Sequence, residues 1–252
     1  NIDFVGIQCD WPLSDWRDGF DHADAQQGWA GPHDNAYLQG NVAGGEGFDW
    51  IYASGADRAA QLRTPITDPA HGKSWVFRSK DLRSWWANPH HDRPGGAERA
   101  TPTAWVPQSK PVVLAAFGCP AVDRGANQPN AFVDPKSSES QLPDFSRGWR
   151  DDAIQRSYLE AVLGYWADPA NNPTSALTGQ PMLDLAQCAA RTWDARPHPA
   201  FPALTEVWPD AATWPLGPSL SGRLGSVSLA ALVRDLCRSA GMLDEQVDTS
   251  GL

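Results

Sequence analysis

The chain of 252 residues lacks the features that indicate a membrane or nucleic-acid-binding protein. No apolar run reaches the roughly 18 residues that a membrane-spanning helix requires. Positive charge is scarce: 20 Lys and Arg stand against 30 Asp and Glu, and the formal net charge is -10. A chain of this charge is repelled by phosphate backbones and by anionic lipid surfaces. We therefore expect no membrane span and no electrostatic interaction with DNA or RNA.

The sequence also lacks the short motifs of several enzyme classes. It contains no Gly-x-Ser-x-Gly elbow, no phosphate-binding loop and no dinucleotide-binding fingerprint. The cysteines are few and far apart, without a Cys-x-x-Cys pair or histidines at metal-ligand spacing; they are Cys9, Cys119, Cys188 and Cys237. Free thiols are the default expectation, although the sequence is also compatible with a bridge. No leader is visible, and the chain passes from Asn1 directly into an apolar strand, so we expect a segment of a larger protein.

One apolar run marks the place where α/β enzymes carry their chemistry. Pro111–Phe117 is short, rich in β-branched residues and stopped by a Gly and a Pro, which is typical of a buried parallel strand that ends in a loop. Catalytic groups lie at such strand ends in barrels and open α/β sheets. Here the strand end holds Ala115, Ala116 and Phe117, and none of these side chains can transfer a proton or attack a carbon.

The remaining pattern predicts an α/β organisation. Further strands are expected at Ile2–Ile7, Phe48–Ala53, Trp75–Arg78 and Gln187–Trp193. Helices are expected at Asp34–Val42, Ser54–Leu62, Ser79–Trp86, Arg150–Trp166 and Ser226–Ala240. The stretches 87–108 and 119–147 are dense in Pro, Gly, Asn or Asp and predict long loops. The last helix follows a polar link at Ser221–Leu224, and it either opens a further module or packs back on the preceding domain.

Long and distinctive stretches of the chain resemble one family. They are IDFVGI and PLSDWRDG (within 2–19), AGGEGFDW (43–50), NPHHDRPGG (88–96), TPTAWVPQSKP (101–111), FVDPKSSES (132–140) and TWDARPHPAFPALTEVW (192–208). They resemble the TIM-barrel-like domain, related to glycoside hydrolases, in the large tail-hub protein of gene transfer agents and related tailed phages. The resemblance implies an α/β fold, the C-terminal portion of a TIM (β/α)8-like barrel with long loop excursions. Its strands at 2–7, 111–117 and 187–193 would be the sixth to eighth, residues 1–220 the barrel-like domain, and 221–252 the link and the start of the next tail-hub module, with a C-terminal helix.

The resemblance also shows what is missing. Glycoside hydrolysis ordinarily needs two carboxyl groups across the scissile bond. The family pattern implies an acid/base glutamate on strand four, upstream of residue 1, and a second carboxylate in a Thr-Glu-Tyr-Gly at strand seven. That motif aligns with Ala115–Gly118, so Ala116 stands where the nucleophilic glutamate is expected. The strand-six and strand-eight ends, Ile7–Pro12 and Cys188–Arg191, depart from the family too. Loss of function, specialisation and redesign all explain this pattern.

Several other side chains are candidates for a site. Asp10 and Asp194 follow strand ends and are possible substitute catalytic groups, while Asp123 and Glu46 lie in adjoining loops. Asp194 with Arg196 better fits a structural ion pair or a sugar contact. The residues expected to bind substrate are Trp11, Asp15, Trp16, His90, His91, Trp193, Asp194 and Arg196. The 13 tryptophans either fill the core or offer flat faces on which sugar rings stack.

No metal and no cofactor are expected. The His90-His91-Asp92 run better fits hydrogen-bonded loop anchors than metal ligands. The acidic run Asp15–Asp24, with His22, favours a solvated, N-capped turn, because the Gly and closing Glu of a calcium loop are absent.

Two functions stay open. The first is a glycoside hydrolase acting on cell-wall or capsular polysaccharide as a particle enters a cell. The second is a non-catalytic hub segment that serves as a tail-tip scaffold or a cell-surface glycan-binding element, and the missing carboxylates favour it. The expected partners are other tail and baseplate proteins and a cell-surface glycan or peptidoglycan. The expected location is the tail of a phage-like particle, assembled in the bacterial cytoplasm and acting at the cell surface.

Overall fold

The computed structural model describes residues 2–43, 48–131, 138 and 140–190, with isolated positions at 203, 205, 206, 230, 233, 234 and 237. The chain divides into two compact units. Unit 1 consists of Asn1–Gln8, Gln39–Ala115 and Ala161–Ala189. Unit 2 consists of Cys9–Leu38, Ala116–Glu160 and Ala190–Leu252.

Two short sheets are present in the described residues. Strand β1 (Val5–Cys9) pairs with β4 (Val112–Phe117), and β2 (Trp50–Ile51) pairs antiparallel with β3 (Thr64–Pro65). Both strands expected for the larger pair are confirmed, with shifted bounds. In β4, Val112 and Leu114 are fully buried and Val113 is 4% exposed, so both faces of its first half are covered. This is the environment that a continuous apolar run predicts.

The other edge of β4 meets the segment that follows residue 181. Val112 forms a parallel bridge with Leu183, and Phe117 forms one with Ala190. These bridges are five residues apart on β4 but seven apart on the facing segment, and a 3-10 helix at Leu185–Gln187 accommodates the extra length. In its described part, the strand predicted from Gln187 is reduced to the bridge at Ala190 and one hydrogen bond from Ala189 N–H to Leu114 O (2.9 Å), because Gln187 belongs to the 3-10 helix and the Cys-Ala-Ala run has weak β-propensity. Positions 191–193 of that prediction lie outside the described residues.

Five α-helices are described: α1 (Ala23–Gln26), α2 (Asn35–Gly40), α3 (Gly55–Ala60), α4 (Leu82–Ala87) and α5 (Asp152–Ala167). The last four confirm the helices expected before residue 170. Side-chain oxygens cap the first turns of these four helices: Asp34 accepts the N–H of Ala36, Ser54 that of Asp57, Asp81 that of Ser84, and Asp151 that of Ile154. Such caps satisfy backbone donors that have no partner within the helix.

The strand predicted at Trp75–Arg78 is wrong. Ser74–Phe77 forms a 3-10 helix, closed by hydrogen bonds from the N–H of Val76 to Lys73 O (3.0 Å) and from the N–H of Arg78 to Trp75 O (3.2 Å). Aromatic and β-branched residues favour a strand only where a partner strand receives them.

Helix α5 buries one face. Ile154, Tyr158 and Ala161 are fully buried and Val162 is 1% exposed, as the helical periodicity predicts. Tyr165, expected on this face, is only partly buried; Trp166 is 2% exposed and fills the core instead. The helix ends at Ala167, and the Asp-Pro pair that follows disfavours helical backbone.

The segment 48–67, here called the arm, contains β2, α3 and β3 and has no buried residue. The rings of Phe48, Trp50 and Tyr52 follow one another at centroid distances of 4.7 and 5.0 Å. Each ring faces a cation: Lys80 over Phe48, Arg63 over Trp50, and Arg58 over Tyr52. Ring contacts and cation–π interactions thus order a segment that has no core of its own.

The described strands do not form a closed barrel. None of the described helices is long and apolar enough to cross a membrane. The helix expected at Ser226–Ala240 and the boundary at 220/221 lie outside the described residues, apart from isolated positions, and stay predictions. All four cysteines are free thiols.

Candidate functional site

The loops after β1 and β4 carry several of the residues singled out in the sequence, and within unit 2 they are fixed firmly. The fully buried Tyr158 of α5 donates its hydroxyl hydrogen bond to the carbonyl of Trp11 (2.9 Å). The N–H of Leu13 donates to the carbonyl of Ala126 (2.9 Å), which joins the two loops. Asp10, half-buried, directly follows β1 and lies next to the Tyr158 anchor.

The end of β4 carries no group that can act in catalysis. Ala116 is half-buried, between an exposed Ala115 and Phe117, which is 1% exposed. A methyl side chain can neither hold a proton nor stabilise a developing positive charge on a sugar. The side chain at the position that the resemblance gives to a glutamate therefore cannot act as an acid, a base or a nucleophile.

Asp123, in the loop after β4, is a structural carboxylate. It is fully buried and accepts hydrogen bonds from the hydroxyl of Ser146 (2.9 Å) and from the N–H groups of Arg147 (2.9 Å) and Trp149 (2.8 Å). The guanidinium of Arg124 adds a bond of 3.0 Å. Four donors bond to its two oxygens, so Asp123 joins the start of this loop to residues 146–149.

An ion-pair network extends from this carboxylate to the surface of unit 2. The side chain of Arg124 is fully buried, with left-handed backbone (φ 58°), and it pairs with Asp18 at 2.5 Å. Asp18 is 52% exposed at its side chain and also pairs with Arg147 at 2.6 Å. Through Asp18, the PLSDWRDG motif thus joins the loop after β1 to the loop after β4. A buried guanidinium of this kind destabilises the fold when it loses its partners.

Two carboxylates of the acidic run 15–24 are buried. Asp15 is 8% exposed and pairs with Arg17 at 3.3 Å, and Asp24 is 4% exposed. Burial raises the pKa of the Tyr37 phenol above its ordinary range, and the nearby charge of Asp24 acts in the same direction. The Tyr37 hydroxyl accepts the N–H of Asp15 (2.9 Å). The expectation of a solvated turn is therefore wrong for Asp15 and Asp24, which lie in the interior, whereas Asp18 and Asp21 are exposed and His22 caps α1 as expected.

Trp16 belongs to the packed core of unit 2. It is 2% exposed, and its ring meets His22 edge-on at 4.4 Å and Tyr37 at 5.9 Å. His22 caps α1 by accepting the N–H of Ala25, and burial lowers the pKa of its imidazole although Asp24 opposes the shift. The geometry leaves Trp16 no open face on which a sugar could stack.

His90 lies in a different setting, inside unit 1. Its ring stacks nearly parallel on Trp105 (5.2 Å, 6°) and lies 4.6 Å from Trp85 and 5.9 Å from Trp75. Trp85 and Trp105 are themselves 4.9 Å apart. We name these four residues the aromatic cluster; each of them is partly exposed.

Ion pairs hold the loop that carries His90. Arg93 bridges Asp68 (3.0 Å) and Glu98 (2.9 Å), and Lys73 reaches Glu98 at 2.5 Å. Hydrogen bonds from Lys73 and Arg93 lower the pKa of Glu98 against the opposing effect of burial. Burial tends to raise the pKa of Asp68, but hydrogen bonds from Arg93 and the N–H of Lys73 outweigh it and lower that pKa. The aromatic cluster therefore stands on an ordered loop.

Both histidines of this loop are anchored to carbonyl oxygens. His90 Nε2 lies 2.8 Å from the carbonyl of Trp85, and His91 Nδ1 lies 2.8 Å from that of Arg99. Within the described part of the chain, no group of three or more His, Cys, Asp or Glu could hold a metal ion. The interpretation of these histidines as loop anchors agrees with the geometry.

The structure describes only some of the candidate residues, and three tryptophans that the sequence did not single out belong to the aromatic cluster. Trp193, Asp194, Arg196 and Glu46 lie outside the described residues, so their predicted roles stay predictions. Sequence reasoning did not single out Trp75, Trp85 and Trp105, although all three lie within 15 residues of His90. The signal was present as a local concentration of tryptophan around a polar loop.

In the described residues the fold is α/β, and its central strand β4 pairs with β1 and forms parallel bridges with the 183–190 segment. A family model described as the GTA TIM-barrel-like domain, where GTA denotes gene transfer agent, matches residues 1–202, and the chain belongs to this family. The resemblance read from the sequence is thus confirmed, and it relates the chain to gene transfer agents. No curated protein matches the chain in a sequence search.

Proposed function

We propose that this chain is a non-catalytic segment of the tail hub of a gene transfer agent, where its barrel-type fold serves as a tail-tip scaffold and as a glycan-binding element facing the cell surface. The observation that carries this proposal is the end of β4. Ala116 stands at the position where the resemblance places the carboxylate that glycoside hydrolysis needs.

The neighbouring carboxylates support the same conclusion. Asp123 is buried and accepts hydrogen bonds from four donors, so its role is structural. Asp10 is the described carboxylate that directly follows a strand end. One carboxylate cannot act both as acid and as the opposing base or nucleophile, and hydrolysis would require a second group across the sugar.

A hydrolase that uses Asp10 with Asp194 is the alternative. Its support is the position of Asp10, directly after β1 and beside the Tyr158 anchor. The purified chain should be incubated with peptidoglycan and with aryl glycosides, and we expect no release of product. Turnover that is abolished by Asp10→Asn or by Asp194→Asn would establish the hydrolase and overturn the non-catalytic assignment.

Two further measurements test the tail and glycan roles separately. Antibodies against the chain should label one end of intact particles in electron micrographs; particles that lack the chain would contradict a tail role. The chain should sediment with insoluble peptidoglycan or with capsular polysaccharide of the host. Labelled particles without sedimentation would leave scaffolding, together with contacts to other tail and baseplate proteins, as the function.

A further inference from the structure

We propose that the aromatic cluster of Trp75, Trp85, His90 and Trp105 is a stacking platform for a pyranose ring of an oligosaccharide, with Asp92 and Arg99 contacting the sugar hydroxyls. This inference rests on the proposed glycan-binding function and names the site and ligand class for it. It concerns unit 1 alone and needs no group at the end of β4.

The rings of the aromatic cluster pack against one another and are held in place by ordered structure. The planes of the His90 and Trp105 rings are almost parallel, at 6°, and Trp85 packs on both at 4.6 and 4.9 Å. Helix α4 supplies Trp85, the 3-10 helix Ser74–Phe77 supplies Trp75, and the ion-paired loop supplies His90. Because regular or ion-paired structure holds these rings, little entropy is lost when a ligand stacks on them.

The cluster is not core. The tryptophans that fill the interior are 2% exposed, namely Trp16, Trp86 and Trp166, whereas all the rings of the cluster are partly exposed. Large apolar side chains next to the cluster in sequence are exposed as well: Val76 at 43%, Phe77 at 55% and Val106 at 55%. Clustered apolar rings at a surface, bordered by polar groups, mark a site of interaction.

The loop that carries His90 also carries polar side chains that suit sugar hydroxyls. A carbonyl oxygen only accepts, so His90 Nε2 carries a hydrogen and donates it to Trp85 O. Hydrogen bonds from Thr103 N to His90 O (2.8 Å) and from Arg99 N to Asp92 O (2.9 Å) fold the loop back on itself. Asp92 and Arg99 are exposed, and in the described part of the chain their side chains form no hydrogen bond or ion pair.

This combination fits a sugar. The C–H groups on a pyranose face pack on the flat, electron-rich faces of indole rings, and the equatorial hydroxyls need donors and acceptors at the rim. The Asp92 carboxylate can accept and the Arg99 guanidinium can donate such hydrogen bonds. The net charge of -10 disfavours a nucleic acid, whose bases would otherwise stack on the same rings.

The test is a titration of the purified full chain with chitotriose, cellotriose and maltotriose, followed by tryptophan fluorescence and calorimetry. We expect saturable binding of at least one trisaccharide. Trp105→Ala should weaken it about tenfold, because one stacked ring is lost. Asp92→Asn should weaken it about threefold, through a lost charge-assisted bond. Trp149→Ala removes a partly exposed ring outside the cluster and should leave the affinity unchanged.

Each outcome of this titration either supports or refutes the stacking platform. If the wild type binds a trisaccharide and the Trp105 and Asp92 variants bind it equally well, the platform is refuted while the glycan-binding function stands. If the wild type binds none of the three, the platform is refuted, and sedimentation with peptidoglycan judges the proposed function on its own. If Trp105→Ala does not fold, the exposed Asp92→Asn and Arg99→Gln variants carry the decision. Capture of a tail protein that Trp105→Ala abolishes, without sugar binding, would assign the patch to protein docking instead.

Discussion

Replacing Asp123 by alanine should separate a structural carboxylate from a catalytic one. The side chain is fully buried, and it accepts one hydroxyl, two backbone N–H groups and the guanidinium of Arg124, whose own side chain is fully buried. Removing one partner of a buried ion pair costs about 3–5 kcal/mol, because the other charge stays desolvated. We therefore expect Asp123→Ala to lower the free energy of unfolding by about 4 kcal/mol.

The isosteric variant refines this expectation. Asp123→Asn keeps the shape and one acceptor oxygen, but its NH2 group faces donors and its charge is gone. Losing a hydrogen bond to a charged group costs about 1.5–3 kcal/mol, so this variant should lie between wild type and Asp123→Ala. Urea unfolding followed by fluorescence and circular dichroism measures both variants. Glu160→Gln is the control, since Arg156 and Glu160 form an exposed pair on α5 that contributes less than about 0.5 kcal/mol.

The reasoning would be refuted by an Asp123→Ala protein that unfolds within about 1 kcal/mol of the wild type, since that is the range of a surface change. A large loss in Glu160→Gln would show instead that the measurement does not distinguish buried from exposed pairs. A stable Asp123→Ala variant that had lost turnover of a glycan would return this carboxylate to the catalytic candidates.

Three further predictions concern unit 2. His22 has a folded-state pKa below its unfolded value near 6.5, so the unfolded chain binds more protons and stability is lost as pH falls from about 6.5. His22→Gln should flatten the dependence of the unfolding free energy on pH in that window. Tyr158→Phe should cost about 1–2 kcal/mol in urea unfolding, because the carbonyl of Trp11 loses its buried donor. Gly125→Ala should cost about 1–3 kcal/mol by overpacking, because the new Cβ would lie 2.2 Å from a backbone oxygen, whereas Gly31→Ala, with open space around it, should cost nothing.

Each of these three predictions can be contradicted by a specific result. A pH profile unchanged by His22→Gln would assign the dependence to other titrating groups. A Tyr158→Phe protein as stable as the wild type would show that another donor reaches the Trp11 carbonyl. Equal stabilities for Gly125→Ala and Gly31→Ala would mean that the backbone near residue 120 yields readily.

The sequence predicted those elements whose signals are local. β4 could be found because its apolar run is continuous, and α3 because Ser54 supplies a cap at the expected place. The α5 face followed from helical periodicity. Family membership followed from long motifs, and Ala116 could be assigned its place only through them.

Signals that depend on tertiary partners were not accessible. Trp75–Arg78 has strand composition, but no strand pairs with it and it curls into a 3-10 helix. Asp15 and Asp24 read as solvated because acidic residues usually are, and only the fold buries them beside Tyr37. The aromatic cluster was missed because three tryptophans separated by 10 and 20 residues have no common period; His90 brings them together through stacking.

The arm has a consequence for how the protein is handled by proteases. A segment with no buried residue opens at little cost, and its opening is not tied to unfolding of the rest of the chain. Arg58 and Arg63 lie over the Tyr52 and Trp50 rings, and trypsin cleaves the peptide bond that follows an arginine. Trypsin should therefore nick the native chain first between residues 58 and 64, and the nicked protein should keep its remaining secondary structure. Host proteases that reach this chain in a particle should therefore cut the arm first.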